Sequence, residues 1–143
     1  MFVEEVQLFQ RIPSHIVDEI AGIATEETFP EGSIIIQQGD NADFLYILEK
    51  GAIHITIQGK ESISFSVNET GSVLGWSSLV EPRKYTATAK CVKESDVIKI
   101  DGDRLLRIFK NHPEEGLTIV MRLGGVIASR LLKCYQQLTA LTA

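Results

Sequence analysis

Cysteine is scarce: Cys91 and Cys134 are the only two in 143 residues, and they stand far apart. That excludes a zinc or iron–sulfur site needing four thiolates from one chain. Both are expected to be buried, reduced thiols. Histidine is equally thin, since His15, His54 and His112 are widely separated and no pair has metal-site spacing. His54, between inward isoleucines, is expected to face solvent. No apolar run approaches the roughly 18 residues of a membrane helix. The opening MFVEEVQLFQ carries acids where a secretory signal carries basic residues, so a cytoplasmic location is expected. Positive charge is in deficit, with 14 Lys and Arg against 19 Asp and Glu and a net charge of −5. This argues against nonspecific binding to nucleic acid or a membrane surface. No Ser–His–Asp or Cys–His signature is readable, and Glu26-Glu27 and Glu114-Glu115 fit helix surfaces or ends better than a catalytic pair. No enzymatic activity, metal or cofactor is expected.

What is present is the composition of an ordinary globular chain, 44% hydrophobic and 23% charged, long enough for one domain with a substantial core. The first thirty residues read as helical. Phe2, Val6 and Phe9 share one face, while Ile16, Ile20, Ile23 and Ala24 share another, and Ser14 after Pro13 is placed to cap the second helix. From residue 32 to 101 the pattern becomes short strands broken by glycines at 32, 39, 51, 59, 71 and 75. Ile53, Ile55 and Ile57 alternate with His54 and Thr56, and Ile63, Phe65 and Val67 alternate with serines. FLYIL at 44–48 reads as a strand buried on both faces. Many short strands with glycine corners predict a sandwich, jelly roll or barrel. Helix returns after Asp101, an expected N-cap, and Pro113 fits the first position of a final long helix. The expected organisation is therefore a helical lead over 1–28, a β-barrel over 29–101 and C-terminal helices over 102–143. The helices are placed near 3–10, 14–26, 102–111 and 113–139.

On the last helix Leu117, Met121, Gly124, Ala128, Leu131, Tyr135 and Leu138 form a heptad-like stripe, with Val120, Leu123 and Ile127 beside it. Two such faces suit one helix packed on its own barrel and against a second copy, so a homodimer through this helix is expected. Burial of one wide stripe within the monomer is the alternative.

The stretch GSVLGWSSLVEPRKYTATA, residues 71–89, combines a glycine turn, hydroxyls and an arginine. Backbone amides at such a turn and a guanidinium fork hold a compact anion such as a phosphodiester without a metal. Gly75 supplies the turn, Ser77 and Ser78 the hydroxyls, and Arg83 the charge. YTATA predicts a strand with Thr86 and Thr88 on one face. A solvated loop arginine beside a structural glycine fits the same residues.

In order along the chain come short N-terminal helices, a glycine-punctuated barrel, GDNADFLYILEKGAIHI, the 71–89 segment and a long terminal helix. Together they resemble the cyclic nucleotide-binding domain family, over essentially the whole chain. Gly39-Asp40, FLYILEKG ending at Gly51, and the glycine-turn-to-arginine cassette carry the likeness. The resemblance implies a double-stranded β-helix, or jelly-roll, barrel: a mainly β fold with N-terminal helices and a long C-terminal helix over the ligand. It implies a regulatory sensor of a cyclic nucleotide, cyclic AMP in the first instance, that signals through that helix. Gly75 matches the cassette glycine and Arg83 the phosphate arginine, with Lys84, Tyr85 and Thr86 leading into the next strand. Trp76 stands where the family has the glutamate that accepts the ribose 2′-hydroxyl. Indole N–H only donates, so it does not replace that acceptor. On the last helix Ser129 and Arg130 fall near the family's base-contacting region, although Arg130 also fits a surface position. Direct nucleic-acid binding within this chain is not expected. The alternatives are a degenerate barrel serving as a protein-interaction or dimerisation module, and a sensor of another small anion.

Overall fold

The computed structural model describes residue 3 and residues 6–142. After a short 3₁₀ helix at Gln7–Phe9 come α1 (Ser14–Ile23), β1 (Ala24–Phe29), β2 (Ile34–Ile36), β3 (Phe44–Lys50) and β4 (Ile53–Ile57). β5 (Ile63–Val67) and β6 (Val73–Leu74) lead to a second 3₁₀ helix at Trp76–Leu79. β7 (Thr88–Cys91), β8 (Ser95–Asp101), α2 (Gly102–Asn111) and α3 (Pro113–Thr142) complete the chain. The strands form two four-stranded antiparallel sheets, ordered β1-β8-β3-β6 and β2-β7-β4-β5. This is the jelly-roll-like, mainly β fold with flanking helices that the sequence predicts.

The first sheet is covered on both faces, which explains the uninterrupted apolar run of β3. Leu45 and Ile47 point to the helices and share a core with Ile16 and Ile20 of α1, Leu105 of α2 and Ile119 and Leu123 of α3. Tyr46 and Leu48 point the other way, into the space between the sheets, where they meet Ile53, Ile55, Ala89 and Val97. Alternation in β4 has the expected sense, with Ile53 and Ile55 buried and His54 half-exposed.

Three local expectations need correction. The second helix stops at Ile23, not 26, and Ala24–Phe29 is an edge strand paired residue by residue with β8. ATEETF has neutral local preference, and strand partners decide it: Thr28 Oγ1 donates to Asp96 at 2.7 Å and Lys99 pairs with Glu27 at 3.4 Å. The barrel thus begins at 24. Ser14 is the first helical residue and makes no capping hydrogen bond; Pro13 occupies the cap, its carbonyl accepting from the amides of Ile16 and Val17. The helix expected near 3–10 is, over its described part, the 3₁₀ turn whose Phe9 is buried with Val6; Phe2 lies outside the described residues. Asp101 does cap α2, its carboxylate accepting from Arg104 N at 3.0 Å, and Pro113 opens α3 with Glu114 and Glu115 in the first turn.

α3 has two faces. Leu123 is buried and Ile127 packs beside it, whereas Leu117, Met121, Leu131, Tyr135 and Leu138 are 46–69% exposed. Near its C-terminal end Gln137 brackets Ser64 of β5, donating to its carbonyl at 2.6 Å and accepting from its amide at 3.2 Å. The helix therefore crosses the barrel mouth, anchored at both ends.

Candidate functional site

Gly75 starts the site. Its φ of 77° is left-handed, and a Cβ there would lie 2.7 Å from the carbonyl oxygen of Phe44, so only glycine turns this corner without strain. The chain then winds into the Trp76–Leu79 3₁₀ helix, whose first amides, of Trp76 and Ser77, have no carbonyl within the turn to bond. Ser78 closes the turn upon itself, both its amide and its hydroxyl bonding Gly75 O at 3.1 and 2.8 Å. Ser77 is buried, and its hydroxyl makes no hydrogen bond among the described residues.

Tyr85 ties the end of the segment to the barrel. Its hydroxyl donates to Phe44 O at 2.8 Å and accepts from Phe44 N at 3.2 Å, and burial pushes the phenol pKa upward. Beyond it, Thr88 Oγ1 accepts from Gln38 N at 3.0 Å. The strand begins only at Thr88, so Tyr85 to Ala87 run as irregular chain rather than as the strand read from YTATA.

Between these segments lies a cavity of about 40 Å³. Gly75, Trp76, Ser77, Tyr85, Thr86 and Arg130 line it, with Ile36, Ile55, Leu74 and Ala89 as its apolar wall. Six of the nine residues singled out in the sequence thus converge. The wall residues were missed as ligand contacts, although Ile55 carries the inward alternation that marks it.

Arg130 reaches the site from α3. Its Cζ stands 5.2 Å from the centre of the Trp76 ring, within cation–π range. It has no hydrogen bond or ion pair among the described residues, and burial pushes its pKa down to about 10. An arginine so placed is a desolvated charge facing a cavity.

Arg83, Lys84 and Ser78 do not line the cavity. Arg83 has a left-handed φ of 61°, and its Nη1 lies 2.5 Å from the Asp103 carboxylate on α2, a bond that raises its pKa. Its Nε is buried without a hydrogen-bond partner among the described residues. Lys84 bonds the side chain of Asn41, and its backbone bridges to the same residue. Ala42 N to Arg83 O and Tyr85 N to Asp40 O, at 2.8 and 2.9 Å, dock this stretch on the Gly39-Asp40 corner. Among the described residues no group of three or more His, Cys, Asp or Glu side chains could hold a metal, and no helix is long and apolar enough to cross a membrane. Cys91 is buried and Cys134 half-buried, both free thiols.

A two-sheet jelly roll with a glycine-turn cassette at its mouth and a long helix across it defines a regulatory ligand-binding domain. The chain belongs to the cyclic nucleotide-binding domain family, whose pattern matches residues 26–112. Its fold is shared by a putative cyclic nucleotide-binding protein of Geobacter metallireducens, 28% identical, with a TM-score of 0.79 over 90% of this chain and 94% of that one. Among curated relatives, the cGMP-dependent protein kinase of Plasmodium berghei is 33% identical over 81% of this chain and 14% of its own. The cAMP-dependent protein kinase regulatory subunit of Yarrowia lipolytica is 26% identical over 80% and 31%. The chain spans about a third or less of the length of these curated relatives.

Proposed function

We propose that this domain senses a 3′,5′-cyclic nucleotide, cyclic AMP in the first instance, and reports occupancy through α3. The observation that carries the reading is the convergence of Gly75, Trp76, Ser77, Tyr85, Thr86 and Arg130 on one cavity. Free amides of the 3₁₀ turn, a lone hydroxyl and an unpaired guanidinium are donors without acceptors, and a phosphodiester supplies acceptors with one negative charge. The cavity as it stands holds a few waters, not a nucleotide. Binding therefore requires Arg130 to leave Trp76 and α3 to shift. Gly124 and Gly125 lie just before Arg130 in α3, where each weakens the helix by about 1 kcal/mol relative to alanine and favours a bend. A ligand that binds the shifted position better than the closed one moves the population toward it.

Arg83 is assigned to the phosphate, by its place in the cassette, in the bound state. It must exchange Asp103 for the ligand, which couples the cassette to α2. The exposed α3 stripe of Leu117, Met121, Gly124, Ala128 and Leu131 is assigned to a two-fold homodimer, so movement of one helix is felt by its partner. The free thiols suit a reducing, cytoplasmic setting. Calorimetry with cyclic AMP and cyclic GMP tests the reading: micromolar binding at one site per chain is expected. No heat with either nucleotide would favour a dimerisation module with a closed barrel, the reading that Trp76 in place of the acid supports.

A further inference from the structure

A second, larger concavity of about 970 Å³ lies between the segment just before α1, the turn preceding β6, and α3. Arg122, Val126, Ser129 and Lys133 recur at steps of four, three and four, so one stripe of α3 forms its floor. Its charge is unlike that of the chain. Arg11, Arg122, Arg130 and Lys133 line it against a single carboxylate, Glu69, in a protein of net charge −5. Three of these cations are held by neutral groups. Arg122 Nη1 donates to the backbone carbonyls of Leu8 and Gln10 at 3.0 and 2.6 Å. Arg130 lies over Trp76, and the Lys133 Nζ is 5.8 Å from the centre of the Phe65 ring. Arg11 sits at the rim with a left-handed φ of 63° and no ion pair among the described residues. Carbonyls and rings hold Arg122, Arg130 and Lys133 without neutralising them, so the positive field is directed into the groove.

We propose that this groove binds a small molecule carrying two or more phosphate groups, at a site that adjoins the cavity beside Trp76 and shares only Arg130 with it. Spacing argues for more than one phosphate. Arg130 and Lys133, three residues apart, neighbour each other on the helix and suit one group. Arg122 lies eleven residues before Lys133, about 16 Å along the axis, and with Arg11 suits another. Lining from three elements and a volume within the usual range for small ligands favour a compact molecule over an extended acidic peptide.

Linear inorganic hexapolyphosphate, long enough to reach both cation pairs, is the probe, titrated calorimetrically into the intact chain at about 50 and 150 mM salt. One site per chain is expected, with affinity falling as salt rises. The exposed pair Arg11→Gln/Lys133→Gln should weaken it at least about tenfold while the thermal midpoint and cyclic AMP affinity stay unchanged. Silence at millimolar hexapolyphosphate, or equal binding by the double variant, overturns the proposal. So does binding lost on Arg83→Ala, which would put the anion in the cassette, or a response to hexaglutamate alone, which would make the groove a protein-docking surface.

Discussion

The guanidinium of Arg130, on α3, lies over the ring of Trp76, in the cassette turn, with 5.2 Å between carbon and ring centre. One contact thus joins α3 to the candidate site, and under the proposed function it fills space that the ligand would take. Its energetics are poor for a structural role. A base whose folded pKa is lowered pays for its charge in the folded state, at every pH below about 10. A desolvated cation–π contact returns about 2 kcal/mol, which offsets that cost without exceeding it. Arg130→Gln should therefore leave the thermal midpoint unchanged or raised. Because Trp76 is the only tryptophan, its emission should shift to the red as its cover is lost. A clear fall in midpoint would mean that the contact holds the fold together.

Arg83 pairs with Asp103 in the structure, and the proposed function gives it the phosphate in place of that carboxylate. Arg83→Ala should cost about 1.5–3 kcal/mol in cyclic nucleotide affinity, roughly ten- to a hundredfold. Asp103→Asn should do the reverse and tighten binding several-fold, since the competing carboxylate is gone. Calorimetry on the two variants separates this from a purely structural ion pair, for which both changes would leave affinity alone.

Gly75→Ala introduces a methyl at 2.7 Å from Phe44 O on a backbone with φ of 77°. A loss of about 1–3 kcal/mol is expected in urea unfolding. Gly71→Ala provides the control: its φ of 91° is left-handed as well, but nothing lies within 4 Å of the added carbon, so its cost should be the smaller.

Met121 and Leu131 are 69% and 46% exposed on the outer stripe of α3. If this stripe forms the dimer, Met121→Glu/Leu131→Glu should sediment as a monomer at tens of micromolar, where the parent sediments as a dimer. Far-ultraviolet circular dichroism should be unchanged, since neither side chain supports the monomer core.

Periodicity made much of the architecture legible. The two-faced burial of FLYIL, the Asp101 cap and the Pro113 start all follow from local chemistry. β1 did not, because ATEETF becomes a strand only through its pairing with β8. The cassette was legible as a glycine turn with hydroxyls. The direction of the Arg83 side chain was not, since Asp103 is twenty residues on and meets it only through the docking of α2. The family resemblance put Arg130 near the base-contacting region with a surface position equally open, and its lack of a counter-ion among the described residues is a property of the packed structure.

The most direct measurement is calorimetric titration with cyclic AMP beside its 2′-deoxy analogue, following Trp76 emission in parallel. With Trp76 standing in place of a carboxylate acceptor, the 2′-hydroxyl gains no partner there, so the two ligands should bind within a few-fold of each other. Both should bind in the micromolar range, at one site per chain, with a change in emission as Arg130 leaves the ring. The absence of binding at millimolar cyclic AMP, or binding with Trp76 emission unmoved, would contradict the account.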